Sequence, residues 1–142
     1  MSEKNKSSWF RKKGEPKQAE SGVDSSDSKE KLQKAIECYA NGVYDLAVEL
    51  FSELAEQGDS EAQCYLGKCY SDGEGVGQDY EKGVEYYLKS AKQGHPHAQW
   101  ALGFCYHEGK GVDQDYASAV EWYLSSAKQG YPLAQSFLGL CY

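Results

Sequence analysis

The sequence predicts an all-α fold of stacked helix-turn-helix repeats. Residues 60–95 return as residues 96–131 with 21 of 36 positions identical, and residues 132–142 begin a third copy. Self-similarity at this period marks a supersecondary unit that cannot bury its apolar face alone, so neighbouring copies share one core. Inside each copy the recurring apolar residues fall at steps of three and four, the spacing of one helical face, and glycine pairs interrupt that pattern midway.

Residues 1–27 contain no Leu or Ile and are dense in Ser, Lys and Glu. Such a segment buries too little apolar surface to offset the entropy of ordering, so a disordered charged tail is expected. Within it, Trp9-Phe10-Arg11-Lys12-Lys13 is the one place where aromatic and basic side chains meet, the pattern of an anionic membrane contact or a short docking peptide. Residues 28–58 read as an irregular first unit. Cys38-Tyr39 aligns with Cys69-Tyr70, Gly42 with Gly73, and Tyr44, Val48 and Gly58 with Tyr80, Val84 and Gly94. Its turn is five residues shorter, because 31 positions separate Cys38 from Cys69 where 36 separate Cys69 from Cys105. Asp27 with Glu30 has the spacing of a capping box that would start the first helix.

Residues 59–142 hold two complete repeats and a truncated third. Ala62, Gln63, Leu66, Gly67, Cys69 and Tyr70 return as Ala98, Gln99, Leu102, Gly103, Cys105 and Tyr106, and define helix A of each unit. Helix B is carried by Val84, Tyr87, Leu88 and Ala91, which return as Val120, Tyr123, Leu124 and Ala127. Asp79 and Asp115 precede helix B, where a short carboxylate accepts the free N–H groups of the first turn. Pro96 and Pro132 stand at the start of helix A, where a missing N–H costs nothing. Gly94 and Gly130 follow helix B as positive-φ caps, and Gly73-x-Gly75 and Gly109-x-Gly111 turn the chain between helices. A helical glycine costs about 1 kcal/mol relative to alanine. Gly67, Gly103 and Gly139 nevertheless share one interior position, which predicts close approach of a neighbouring helix.

The strings AQCYLGKCYSDGEGVGQDYEKGVEYYLKSAKQG and AQWALGFCYHEGKGVDQDYASAVEWYLSSAKQG resemble Sel-1-like repeats, relatives of the tetratricopeptide repeat with a longer Gly-rich turn. The resemblance covers roughly residues 60–142. It implies a right-handed superhelical scaffold that holds proteins or peptides and is not an enzyme. Residues 28–58 look more like an ordinary tetratricopeptide unit, suited to an N-terminal cap. A few disulfide-rich relatives have been described as binding or hydrolysing β-lactams, which sets the alternative of an enzyme. This chain lacks their pair of cysteines within each unit. Ser28-x-x-Lys31 superficially fits the serine motif of such enzymes, without an S-D-N or K-T-G partner.

Charge and cysteines narrow the classes further. Cutting after Lys31 leaves eight basic against six acidic residues before the cut and seven against sixteen after it, so the tail is +2 and the repeats −9. A nucleic-acid surface on the repeats is not expected. No signal peptide or membrane span is apparent, and a cytoplasmic, soluble protein is the expectation. Cys38, Cys69, Cys105 and Cys141 occupy one site in successive units. Stacked helices lie about 8–10 Å apart, whereas a disulfide needs Cα atoms within about 7 Å. Buried free thiols follow, and no metal or cofactor site is expected. His97 and His107 stand ten residues apart on one helix and cannot share a metal.

Positions that do not recur are where binding is expected. On helix A they are Glu61, Cys64, Lys68 and Ser71 in one unit, His97, Trp100, Phe104 and His107 in the next, then Leu133, Ser136 and Leu140. At about 100° per residue this stripe faces away from the Ala98, Leu102 and Cys105 face and would line the inner curve of the stack. Trp100 and Phe104, one turn apart, are the candidate anchors for a protein or peptide partner, with His97, His107, Lys68 and Cys64 beside them; Cys64 is expected to be exposed. Glu85 and Lys89 have the spacing of a helix-stabilising ion pair. The final helix A would leave Phe137, Leu138 and Cys141 without a helix B, which suggests more chain or a face that pairs with another copy.

Overall fold

The computed structural model describes residues 25–141, with side chains from 26 to 139. Seven helices follow one another among the described residues: α1 (Ser25–Ala40), α2 (Tyr44–Glu56), α3 (Ser60–Asp72), α4 (Tyr80–Lys92), α5 (Pro96–Glu108), α6 (Tyr116–Lys128) and α7 (Pro132–Cys141). Contacts divide the chain into Met1–Gln33 and Lys34–Tyr142. Of the first unit only the start of α1 is described, so the expected tail and its Trp9-Phe10 motif lie outside the described residues. Because α1 begins at Ser25, Asp27 stands inside its first turn and is not the N-cap that the capping box requires. Ser28 and Lys31 likewise lie within this helix.

In the second unit each helix from α2 to α6 packs on its successor. This is the α–α superhelix predicted, and its core consists of the recurring residues. Leu66, Leu102, Ala62, Ala98 and Cys69 are fully buried, as are Phe51 and Tyr123. The shared glycine position works as expected. A Cβ on Gly67 would stand 2.8 Å from the Tyr87 ring and one on Gly103 would stand 2.7 Å from the Tyr123 ring, so helix B lays its tyrosine on the glycine of its own helix A. Gly139 has nothing within 4 Å of that position.

Capping sets the helix limits. Asp79 accepts from Lys82 N–H and Asp115 from Ser118 N–H at the starts of α4 and α6, and Gly73 and Gly109 close α3 and α5 in the left-handed conformation.

Hydrogen bonds lock successive repeats in register. Each helix ends with carbonyls that lack partners, and the next repeat supplies them. Gln63 donates from Nε2 to the Ala55 carbonyl of α2, and Gln99 likewise to the Ala91 carbonyl of α4. The amide oxygens of Gln63 and Gln99 accept from Gln93 and Gln129 at 2.8 and 2.9 Å. Ser90 and Ser126, both fully buried, donate to the carbonyls of Ser60 and Pro96. These recurring polar residues are therefore structural. The expected Glu85–Lys89 ion pair is not formed. Lys89 places its ammonium 5.1 Å above the Tyr86 ring, a contact of about 0.5–1 kcal/mol at an exposed site that competes with a solvated pair of similar worth.

Candidate functional site

The non-recurring stripe of the A helices borders two adjoining cavities. The first, about 400 Å³, is lined by Tyr39 of α1, Glu61, Cys64, Tyr65 and Lys68 of α3, and His95 and His97 of α5. The second, about 360 Å³, is walled by Tyr87, Trp100, Phe104 and Leu133 and again by Lys68 and His97. Those two shared side chains form the ridge between the cavities. Together the two make one groove across the A helices.

Five of the six candidate residues meet here: Cys64, Lys68, His97, Trp100 and Phe104. His107 does not join them. Its ring packs on Tyr116 and Tyr123, with Nδ1 3.4 Å from the Tyr123 hydroxyl.

Each wall has an identifiable origin. Phe51 stacks on Tyr65 with ring centroids 4.7 Å apart, and Tyr39 meets Tyr65 edge-on at 5.3 Å, which fixes the first cavity. Trp100 and Phe104 stack at 5.8 Å, and both receive Phe137 of α7 edge-on at 5.7 and 5.9 Å. Trp100 Nε1 is shielded and has no hydrogen-bond partner among the described residues, so ring packing alone holds the indole. Both aromatics are half-buried and serve the packing of α7 as well as the groove wall.

Cys64 departs from expectation. It is 5% exposed and belongs to the core cluster with Val84, Tyr87, Ala98 and Leu102. The position lies at the edge of the helix A apolar face, where a small thiol sinks inward and the indole of Trp100 in the next copy is too large to do so. Burial first, then Glu61, push the thiol up to about 12, which makes it a poor nucleophile. Burial also raises Cys69 to about 12 and Cys105 to about 11. Cys38, Cys64, Cys69 and Cys105 are unbridged.

Polar contacts order the rim. Lys68 donates to Asp72 at 2.6 Å. His95 caps α5 by accepting the Ala98 N–H at Nδ1, which leaves Nε2 3.6 Å from Glu61. His95 thus replaces Asp59, the aspartate that caps α3, a structural role that its sequence position between a glycine and a proline did not reveal. His97 Nδ1 lies 2.5 Å from the Tyr131 hydroxyl, and burial lowers its pKa. Tyr39 donates to Glu74 at 2.6 Å. Tyr39 and Tyr65 are wall residues that the non-recurring stripe did not include. Tyr65 stands where the next copy has Ala101, and that difference was a usable signal; Tyr39 recurs as Tyr70 and Tyr106 and so read as packing.

No group of three or more His, Cys, Asp or Glu side chains among the described residues could hold a metal ion. None of the described helices is long and apolar enough to cross a membrane. The arrangement offers apolar cavities with a charged rim, suited to holding side chains.

The Sel1 repeat model matches residues 35–59, 60–95 and 96–131. The chain belongs to the Sel1 repeat family. Proteins of this family generally serve as protein-interaction scaffolds. Among solved structures, the Sel1 repeat protein from Oxalobacter formigenes is similar over 77% of this chain and 45% of its own, with 32% identity and a TM-score of 0.74. The c5321 protein, a protective antigen of uropathogenic Escherichia coli with the same repeat fold, matches over 82% of this chain and 26% of its own, with 32% identity and a TM-score of 0.76. This chain therefore spans about half the length of the first and a quarter of the second. Helicobacter pylori cysteine rich protein B shares the fold over 82% of this chain and 98% of its own, at 21% identity and a TM-score of 0.63. No curated protein matches the sequence significantly.

Proposed function

We propose that this Sel1 repeat protein is a noncatalytic interaction module that holds a peptide or protein along the groove of its A helices. The observation that carries this reading is the coincidence of two adjoining cavities with the non-recurring stripe. A scaffold whose repeats agree at core positions and differ along one face presents a surface that packing does not dictate. The acidic repeats favour a protein over a nucleic acid. Four unbridged cysteines support a reducing compartment, and hence the cytoplasm. In the same reading residues 1–27 tether the module and residues 28–58 cap it.

Partner capture by the full chain tests the reading when repeated with variants on both sides of the stack. Lys68→Glu and Leu133→Asp alter exposed groove positions without opening the core, and Lys89→Glu alters the B-helix face. Loss of the partner with the first two and retention with the third supports the groove; the opposite pattern removes it. Nitrocefin turnover at no more than the buffer rate is the accompanying expectation.

A further inference from the structure

We infer that the groove selects a peptide extended in the polyproline II conformation, with two bulky apolar side chains three residues apart, and with an acidic side chain next to the one that enters the second cavity. This rests on the groove reading above and adds spacing, direction and charge.

The spacing follows from the repeat. The first cavity is centred on α3, with α1 and α5 at its sides, and the second on α5, with α3 and α7 at its sides, so one repeat separates them. Helices in side-chain contact lie about 8–10 Å apart, and a chain in the polyproline II conformation turns once every three residues and advances about 3.1 Å per residue, so side chains three apart share a face about 9 Å apart. Side chains one or two residues on are rotated away from the groove floor. Cavities of about 400 and 360 Å³ admit single side chains, whereas a whole helix is about 10 Å across.

The direction follows from charges already occupied within the groove. Lys68 is held by Asp72 and Glu61 faces His95, while Glu74, behind the first cavity's wall, accepts from Tyr39. Lys110, at the place in its repeat that Glu74 occupies in the preceding one, has no carboxylate within ion-pair distance among the described residues. Its ammonium rests 5.6 Å from the ring centroids of both Tyr80 and Phe104, at the rim of the second cavity. Glu74 thus gives way to Lys110 from one copy to the next, and among the described residues that line the two cavities the lysine without a carboxylate stands at the second. A ligand carboxylate placed there gains a counter-ion over an aromatic floor, with the neighbouring Asp72 already held by Lys68; placed at the first cavity it meets Glu61.

A random peptide library displayed on phage and panned against the full chain tests this, with enriched peptides resynthesised as C-terminal amides and titrated by fluorescence anisotropy. The expected peptides carry two bulky apolar residues three apart with Asp or Glu beside one of them. Shifting the spacing by one residue, or replacing the acid by Lys, weakens binding about fivefold or more. Lys110→Glu, at an exposed loop position, reverses the preference between acid and Lys. Peptides that lose binding on Leu133→Asp but lack the spacing or the acid overturn this inference and leave the groove reading intact. Peptides indifferent to both Leu133→Asp and Lys110→Glu, or no enrichment at all, overturn both.

Discussion

Helix α3 and helix α5 hold equivalent places in successive repeats and bury five equivalent residues each, yet they present different faces. Leu66 and Leu102, Cys69 and Cys105, Gly67 and Gly103 are interchangeable in role. On the groove side a buried thiol, a lysine salt bridge and a glutamate in α3 give way to an indole, a phenyl ring and a half-buried imidazole in α5. Packing of helix A on its own helix B dictates the first set, and the second set differs with what each copy meets on the groove side, the core cluster at Cys64 and α7 at Trp100 and Phe104.

The sharpest way to break that division is to cut the shared core. Leu66→Ala and Leu102→Ala should each cost about 2–5 kcal/mol, similar to one another, in urea unfolding. If one is nearly neutral, the two copies are not equivalent.

Next comes the glycine position. Gly103→Ala drives a methyl into the Tyr123 ring and should cost about 1–3 kcal/mol by overpacking. Gly139→Ala, with open space around it, should be neutral or stabilising by up to about 1 kcal/mol in this 142-residue chain. Equal effects would contradict the helix-on-glycine contact.

The caps allow a smaller test. Asp79→Ala removes the acceptor for Lys82 N–H and should cost about 1 kcal/mol.

A pH series probes the α5 face in particular. Burial depresses the pKa of His97, so between that lowered value and about 6.5 the unfolded chain binds more protons than the folded one. The stabilisation is complete above the unfolded value and is lost as pH falls through the folded one. Unfolding midpoints should therefore drop as the pH falls below about 6.5. His97→Gln should flatten that slope, and an unchanged slope would mean that the imidazole is not held neutral.

Much of this was legible because the chain repeats itself. Comparing its own copies separated Leu66 and Gly67 from Lys68, and the Asp-Tyr and Gly-x-Gly steps marked helix limits because caps are local chemistry. Contacts set by distant residues were not legible. Cys64 lies at the margin of the apolar face, where residue size decides which way the side chain goes. His95 lies between a glycine and a proline, and only the fold brings the Ala98 N–H onto its Nδ1. Lys89 had both a glutamate and a tyrosine within reach, and spacing alone did not choose between them.

The glutamine relay has a consequence for how such a chain changes over time. The α4 to α5 joint repeats the bonds of the α2 to α3 joint, with Gln99 reaching Ala91 as Gln63 reaches Ala55. A block of 36 residues could therefore be duplicated or deleted in the gene with no new seam to invent, and the inserted cassette would arrive with its own connectors. Length and recognition surface would then evolve by counting whole blocks, while single substitutions retouch the groove.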